Sequence, residues 1–228
     1  MIGIIGAMTI ETAALCEALS EAKSECVSGI TYTTGKLEGK DVVIATCGVG
    51  KVYAAICAQT MILRYHPDLL INTGVGGTLI PALGVGDIAV ASALVQHDMD
   101  TSAIGDPVGL VSGINRIYFE ADAEITGKME ACVEACGLSC ARGVVASGDQ
   151  FVASRERKEW IQSTFGAIAC EMEGAAIAQV ATVNALPFVV VRAISDSADG
   201  DATLDFPTFA ARAAQNSVAV LRRFLTMA

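Results

Sequence analysis

The chain has 228 residues, of which 53% are hydrophobic and 18% are charged, so it can bury a large core as one domain. Its formal net charge of -10 at pH 7 offers no basic stripe to neutralise phosphates, which disfavours a nucleic acid or an anionic membrane as a partner. The mean hydropathy of +0.51 is high, but Gly, Asn, Thr, Gln or Pro interrupts the uncharged stretches, and no membrane span is predicted.

Short β-rich runs alternate with helical periodicity along the chain, and this pattern predicts a mixed or parallel sheet covered by helices. Strands are predicted over residues 2–5, 31–37, 40–46, 69–73, 87–97, 143–147 and 188–194. Helices are predicted over residues 9–21, 51–65, 123–136, 154–165, 172–184 and 208–225. No repeat, charge run or low-complexity linker interrupts the alternation, so we expect a single domain over residues 1–228.

The opening segment and the cysteines bear on the cellular compartment. No positive charge precedes Glu11, which argues against a signal peptide and predicts a cytoplasmic protein. The eight cysteines form no Cys-x-x-Cys pair, and we expect them to be reduced core residues. Cys132 and Cys136 lie one helical turn apart, but only two histidines could complete a site, so neither a metal nor another cofactor is expected.

Two glycine-rich segments follow predicted strands and are interpreted as loops: Gly48-Val49-Gly50-Lys51 and Gly74-Val75-Gly76-Gly77. Glycine lets a backbone approach a ligand closely, and loop N–H groups can hold oxygen atoms. Taken singly, each segment is as compatible with a tight turn as with a ligand loop. Neither has the phosphate-loop spacing, and no Gly-x-Gly-x-x-Gly is present, so an NTPase or a dinucleotide oxidoreductase has little support.

Two later segments carry the acidic residues of greatest interest. The run Cys170-Glu171-Met172-Glu173-Gly174 is predicted to open a helix, and the apolar strand that follows ends in Ser195-Asp196. Clustered carboxylates suit a ligand rich in hydroxyl groups, and a buried acid suits a leaving group that must be protonated. These features indicate an enzyme that acts on a sugar. Glu11, by its position alone, is more typical of an ordinary acid at a helix start.

Taken together, seven segments resemble the 5′-methylthioadenosine/S-adenosylhomocysteine nucleosidases of the purine nucleoside phosphorylase superfamily. They lie in the family's order at residues 2–8 with Glu11, 48–52, 71–74, 85–87, 147–149 with Phe151, 171–173 and 189–196. The resemblance implies a single-domain three-layer α/β/α fold with a central mixed sheet. It also implies hydrolysis of the N-glycosidic bond of methylthioadenosine and S-adenosylhomocysteine, which releases adenine and serves methionine salvage and the methyl cycle.

The resemblance also implies roles for catalytic residues. Asp196 matches the general acid that serves N7 and the exocyclic amine of adenine, with Ser195 orienting it. Desolvation in a closed apolar pocket would keep this carboxyl protonated near neutral pH. Glu11 matches the base that activates water, with Arg192 nearby in the same network. Hydrolysis of this bond needs both functions, because the purine must leave neutral and the sugar must be captured.

Substrate contacts follow from the same resemblance. Glu173 would accept hydrogen bonds from the ribose diol, with Met172 on the sugar face and Glu171 as a supporting partner. Phe151 would stack on adenine, while the backbone of Val152 reads its Watson–Crick edge. For each of these residues, ordinary packing or helix-end electrostatics is the alternative interpretation.

The remaining contacts surround the attacking water and the 5′ substituent. Val75, beside Gly76 in the substrate site, replaces a serine that many family members carry next to the water. Met8, Val49 and Phe206 would surround the 5′-alkylthio group; the resemblance further implies that Ile104 completes this subsite from a partner subunit, giving a homodimer. Plain core packing is the alternative for these apolar residues. The segment 101–114 lacks an aromatic residue common in the family. Residues 199–205 are interpreted as a loop whose Gly and Asp content suits a lid.

Three alternative functions stay open at this point. A phosphorylase would need a concentrated cationic site, yet the first arginine is Arg64 and the segment after Gly6 reads Ala7-Met8-Thr9. A futalosine-type hydrolase would differ only in the 5′ subsite. A protein that binds nucleosides without catalysis would be expected to have lost Glu11 or Asp196, and both are present.

Overall fold

The computed structural model describes residues 1–227, without the side chain of residue 204. The strands within them are β1 Ile2–Gly6, β2 Ser20–Val27, β3 Ile30–Leu37, β4 Lys40–Thr46, β5 Leu69–Thr78, β6 Ile88–Gln96, β7 Tyr118–Glu120, β8 Cys140–Ser147, β9 Ala167–Glu171 and β10 Phe188–Asp196. The α-helices are α1 Thr9–Glu17, α2 Lys51–Tyr65, α3 Ala123–Ala135, α4 Arg155–Phe165, α5 Gly174–Val183 and α6 Ala202–Met227. A short 3-10 helix spans Ser102–Ile104.

All the strands belong to one mixed sheet, as the sequence predicts. The pairs β1–β4, β1–β5, β5–β10, β6–β8 and β8–β9 are parallel, whereas β2–β3, β3–β4, β5–β9, β6–β7 and β6–β10 are antiparallel. Because β10 pairs with both β5 and β6, the strands β5, β10, β6, β8 and β9 close into a ring. This curling brings the carboxyl ends of β5, β9 and β10 close together.

Helices cover both faces of the sheet and give three layers. Ile5 of β1 belongs to the core cluster beneath α2 and α5, whereas its neighbour Ile4 belongs to the cluster beneath α1, α3 and α6. This alternation is the two-residue period of a strand that is buried on both faces. On α2, Ala54, Cys57 and Met61 recur at helical spacing and turn one side towards the sheet.

The glycine segment at residues 74–77 is not the predicted loop. It continues β5 to Thr78 and pairs with the end of β10. Glycine is required here by close approach: a Cβ on Gly74 would lie 2.6 Å from Glu11 Oε1, and one on Gly76 would lie 2.9 Å from the Cys170 carbonyl oxygen. Low strand propensity suggested a loop, whereas tertiary contacts select a strand in which side chains have no room.

Other sequence predictions were wrong at particular elements. The first helix ends at Glu17, and residues 20–27 form the exposed edge strand β2, which lacks the alternation that would reveal it. Cys26 lies on this strand and is exposed, so it is not a core residue; all the cysteines are free. Strands β7 and β9 were missed. Residues 199–205, predicted as a loop, are partly helical, because α6 begins at Ala202.

We infer that the chain forms one domain, because the described strands share one sheet and the core clusters on its two faces draw on residues from both halves of the sequence. Residue 228 of the predicted domain lies outside the described residues. In the part of the chain that the structure describes, no helix combines the length and apolar character needed to cross a bilayer.

Candidate active site

A cavity of about 250 Å³ opens where several strands end. Its walls come from the segments that follow β1 and β4, from the end of β5, from the end of β9 and the residues after it, and from the end of β10. The residues that line it are Ala7, Met8, Glu11, Val49, Val75, Gly76, Gly77, Gln150, Phe151, Val152, Cys170, Glu171, Met172, Glu173, Ser195, Asp196 and Phe206. Strand ends at one edge of an α/β sheet are the usual location of a ligand site.

The structure brings all the predicted site residues to this cavity except Arg192 and Ile104. Arg192 lies fully buried behind the wall, and the side chain of Ile104 is 82% exposed on the surface. Sequence reasoning missed Ala7, Gly77, Gln150 and Cys170, each a direct neighbour of a residue that was singled out. Adjacency to those motifs was the only available signal for them.

Glu11 is fixed at the start of α1 by three backbone donors. The N–H groups of Ala7 and Met8 donate to Oε2 at 2.7 and 2.9 Å, and the Val75 N–H donates to Oε1 at 3.0 Å. Burial raises the pKa of Glu11, although Arg192 and the backbone donors oppose that rise. A carboxylate that is held rigidly and has an elevated proton affinity is suited to act as a general base.

Asp196 ends β10, and each of its carboxyl oxygens has a partner. Ser195 Oγ lies 2.8 Å from Oδ2, and the Ala198 N–H donates to Oδ1 at 3.0 Å. Burial raises the pKa of Asp196, while these two hydrogen bonds lower it in part. Asp205 and Asp199 add to the rise by charge repulsion. The arrangement therefore favours a protonated carboxyl group that can donate its proton into the cavity.

A buried ionic network supports the cavity from behind. Arg192 donates to Glu171 Oε2 and to Asn72 Oδ1, and the Ser147 hydroxyl bonds Glu171 Oε1. The N–H groups of Glu173 and Gly174 also donate to Glu171 Oε2, at 3.0 and 2.7 Å. Burial opposes ionisation of Glu171, but Arg192 and these donors hold its pKa below the ordinary value. Glu171 is thus a structural anion at the start of α5.

Glu173 occupies a less favourable position for a charge. Gly50 N–H donates to its Oε1 at 2.7 Å, and Arg192 Nη2 lies 4.0 Å from its Oε2. Burial and repulsion from Glu171 raise the pKa of Glu173 to about 7. A cavity carboxylate with one oxygen only distantly paired retains capacity to accept hydrogen bonds from hydroxyl groups.

The opposite wall of the cavity is apolar and aromatic. Phe151 and Phe206 contact each other edge to face, with ring centroids 5.5 Å apart. Phe151 lies in the loop between β8 and α4 and is 47% exposed. An accessible ring in a chain with only 5% aromatic residues provides a stacking surface for a flat base.

The cavity lacks the groups expected of a phosphate or metal site. No Lys or Arg side chain lines it within residues 1–227. Arg192, the arginine behind the wall, is fully engaged with Glu171, Asn72 and its own strand. In the same described residues no cluster of His, Cys, Asp and Glu has the makings of a metal centre.

The sequence and the fold of the chain are similar to those of characterised proteins. The profile of the Phosphorylase superfamily matches residues 1–226. The 5′-methylthioadenosine/S-adenosylhomocysteine nucleosidase of Shewanella loihica is 35% identical over 217 residues, which cover 95% of this chain and 94% of that protein.

Two solved structures are similar over nearly their whole length. The crystal structure of the corresponding nucleosidase of Neisseria meningitidis in complex with methylthio-immucillin-A has a TM-score of 0.96 and 34% identity, covering 100% of this chain and 99% of that one. The native futalosine hydrolase of Helicobacter pylori has a TM-score of 0.95 and 34% identity, covering 100% and 97%. The chain therefore belongs to the phosphorylase superfamily and, within it, to the family of 5′-methylthioadenosine/S-adenosylhomocysteine nucleosidases.

Proposed function

We propose that the chain hydrolyses the N-glycosidic bond of 5′-methylthioadenosine and S-adenosylhomocysteine, releasing adenine and the 5′-substituted ribose. One observation carries this conclusion: two buried carboxyl groups with raised pKa, Asp196 and Glu11, line a single cavity that also contains an aromatic wall. Relatives of the same fold bear the name of this activity. In the cell the reaction would serve methionine salvage and the methyl cycle.

Asp196 is the general acid in this proposal. Its proton passes to the departing adenine, so the base leaves neutral and the Asp196 carboxylate remains. Ser195 and the Ala198 N–H, which hold its two oxygens, stabilise the carboxylate that forms. Phe151 supports the face of the base, and Val152 borders its edge. Proton donation lowers the barrier most at the transition state, where negative charge develops on the purine.

The sugar is bound and stabilised by carboxylate chemistry. Glu173 in its ionised form accepts hydrogen bonds from the ribose diol, and its negative charge favours the oxocarbenium-like sugar that forms as the base departs. Met172 packs on the sugar, and Met8, Val49 and Phe206 supply apolar contacts for the 5′ substituent. Glu171, at the end of β9, and Arg192, behind the wall, hold this wall in place through their hydrogen bond.

Water is the nucleophile, and Glu11 takes its proton. Val75 offers no hydroxyl to this water, but its backbone N–H holds Glu11 Oε1 and so fixes the base. A phosphate nucleophile would bring two negative charges beside Glu11 and Glu173, and among the residues that the structure describes no cation lines the cavity to offset them. Charge therefore favours hydrolysis over phosphorolysis.

A second candidate substrate class is a futalosine-type nucleoside, because the futalosine hydrolase of Helicobacter pylori has a similar structure. The test is incubation of the purified chain with methylthioadenosine, S-adenosylhomocysteine, 5′-deoxyadenosine and aminodeoxyfutalosine, with free base measured by chromatography. We expect adenine from the first two. Release from aminodeoxyfutalosine alone would assign the second candidate, and calorimetric binding without any release would identify a non-catalytic binding protein.

The assembly that we propose is a homodimer. Exposed apolar side chains lie at the cavity and on the adjoining helix α2: Val49 is 50% exposed, Val52 is 70% exposed and Tyr53 is 54% exposed. A second copy would cover this surface, and Ile104 would reach across to the 5′ subsite of the partner. Light scattering should give twice the mass of one chain at micromolar concentration, and a monomer with full activity would refute this assembly. We also propose a cytoplasmic location, which the free cysteines support.

A further inference from the structure

Lys158 of α4 contacts the turn that follows Asp196. Its Nζ donates to the Ser197 carbonyl oxygen at 2.5 Å and lies 3.7 Å from Asp199 Oδ2. The Lys158 side chain is only 21% exposed, so most of it is removed from solvent. Lys158 does not line the cavity, so it would make no direct contact with a substrate bound there.

A single peptide unit connects Lys158 to Asp196. The carbonyl that accepts from Lys158 belongs to the same peptide unit as the Ala198 N–H, and that N–H donates to Asp196 Oδ1 at 3.0 Å. A hydrogen bond to a peptide carbonyl polarises the unit and strengthens its N–H as a donor. The charge of Lys158 therefore reaches the Asp196 carboxyl group through this unit.

The conformation of Ala198 gives an independent reason for such a restraint. Its φ of 52° lies in the left-handed region, which is unfavourable for a residue with a Cβ, and its side chain is fully buried. Strained backbone persists only where its surroundings fix it. Lys158 holds the carbonyl side of the peptide unit and Asp196 holds the amide side, so together they fix the turn.

We propose that Lys158 is a positioning residue for the general acid: it keeps the Ala198 N–H directed at Asp196 and so sets both the place and the proton affinity of that carboxyl group. The inference rests on the proposed function, in which Asp196 donates the proton. Other groups that face Asp196 are the Ser195 hydroxyl, the Cys170 thiol, and the carboxyl groups of Asp199 and Asp205. Of these, the two aspartates favour the protonated acid, whereas Lys158 acts in the opposite direction.

The test compares three variants with the wild type: Lys158→Met, Lys158→Arg, and Lys128→Met as the control. Lys128 is an exposed lysine with an ion pair on α3, and it does not line the cavity. We expect Lys158→Met to lower kcat for methylthioadenosine about tenfold with little change in KM, since a small displacement of a catalytic group is costly. The alkaline limb of the pH profile of kcat should move to higher pH, because the Asp196 carboxylate loses a strengthened hydrogen-bond donor.

Lys158→Arg should recover most of kcat, since it keeps a cationic donor, and Lys128→Met should match the wild type. Thermal unfolding checks that each variant is folded, and Lys158→Gln, a neutral donor, replaces the Met variant if that one does not fold. An unchanged kcat in Lys158→Met, or a lower kcat with the alkaline limb in its wild-type place, would overturn the proposal. If the wild type releases no adenine, the proposed function fails instead.

Discussion

Asp196 and Glu11 are both acids in the same cavity, and the proposed reaction requires them in opposite protonation states. Hydrogen bonding distinguishes them: Glu11 accepts from three backbone N–H groups, whereas Asp196 accepts from one N–H beside a hydroxyl. More donors stabilise the carboxylate form more strongly. The rate of hydrolysis should therefore follow a bell-shaped pH profile, with Glu11 ionised and Asp196 protonated at its maximum.

Replacement of the acid tests its role directly. Asp196→Asn should lower kcat for methylthioadenosine by about a thousandfold or more while ligand binding persists, because proton donation acts mainly in the transition state. The measurement is steady-state kinetics beside calorimetric binding of the same nucleoside. Asp201→Asn, at an exposed position past the turn, is the control and should retain wild-type kcat. Near-normal turnover in Asp196→Asn would remove the assignment.

Glu173 illustrates a conflict between stability and function. Its folded-state pKa of about 7 lies above the ordinary 4.5, so the folded protein binds this proton more tightly than the unfolded chain does. The contribution of Glu173 to the free energy of unfolding is therefore at its maximum below about pH 4.5. It is lost as the pH rises towards 7. At neutral pH the ionised side chain costs stability, yet the ribose diol needs that charge.

Glu173→Gln should consequently raise the free energy of unfolding at pH 8 by about 1 kcal/mol or more and lower kcat/KM for methylthioadenosine. The gain should shrink as the pH is lowered to 5. Denaturant unfolding at the two pH values measures it, with the exposed Glu134→Gln as a control that should show no such pH-dependent gain. If Glu173→Gln were less stable than the wild type at pH 8, the prediction would be wrong, because the folded protein would then stabilise the Glu173 carboxylate.

At the scale of elements, strand β5 helps to place Glu11, the general base, at the edge of the sheet where the strands end. Gly74 leaves the space that the Glu11 carboxylate occupies, since an added Cβ would lie 2.6 Å from Oε1. Gly74→Ala should displace the carboxylate from its backbone donors and lower kcat at least about tenfold. Its melting temperature should fall as well, because the buried N–H groups of Ala7, Met8 and Val75 would lose their acceptor.

Gly127→Ala is the matched control for that substitution. Gly127 lies within α3 with nothing within 4 Å of the added Cβ, so alanine should leave kcat unchanged and stabilise the helix by about 0.5–1 kcal/mol. Kinetics and thermal unfolding of the two alanine variants make the comparison. Wild-type kcat in Gly74→Ala would mean that Glu11 does not need its observed position.

Sequence predicted the elements whose burial follows a simple period. Helix α2 has the predicted bounds, because its apolar residues recur on one face. The largely apolar run of β10, which only Arg192 interrupts before Ser195, identified a strand buried on both sides. Strand β2 was missed because each residue from Ser20 to Cys26 is exposed. Strand β9, Ala167–Glu171, is short and rich in alanine, and its pairing with β8 and β5 supplies what its sequence lacks.

The candidate site was predictable where residues lie in recognisable motifs. Glu11, Glu173 and Asp196 all reach the cavity because each lies at or just after a strand end. Arg192 was assigned to catalysis, but its guanidinium group does not line the cavity and is buried in hydrogen bonds to Glu171 and Asn72. The contact between Lys158 and the Ser197 carbonyl joins distant segments and has no sequence signal.

At the scale of the molecule, the charge of the cavity decides the nucleophile. Four acidic residues, Glu11, Glu171, Glu173 and Asp196, line it, and no basic side chain among the described residues joins them. The net charge of -10 disfavours phosphate at the surface as well. The closing of strands β5, β10, β6, β8 and β9 into a ring brings together the acids at the ends of β9 and β10, and β1, which pairs with β5, leads into the helix that carries Glu11. The fold itself therefore favours a neutral nucleophile over an anionic one.

The most direct test of this account is the release of adenine from methylthioadenosine, measured in phosphate-free buffer and again with millimolar phosphate, with the sugar product identified by mass spectrometry. The account predicts equal rates in the two buffers and free 5-methylthioribose as the sugar product in both. A rate that requires phosphate, with a sugar 1-phosphate as the product, would contradict it.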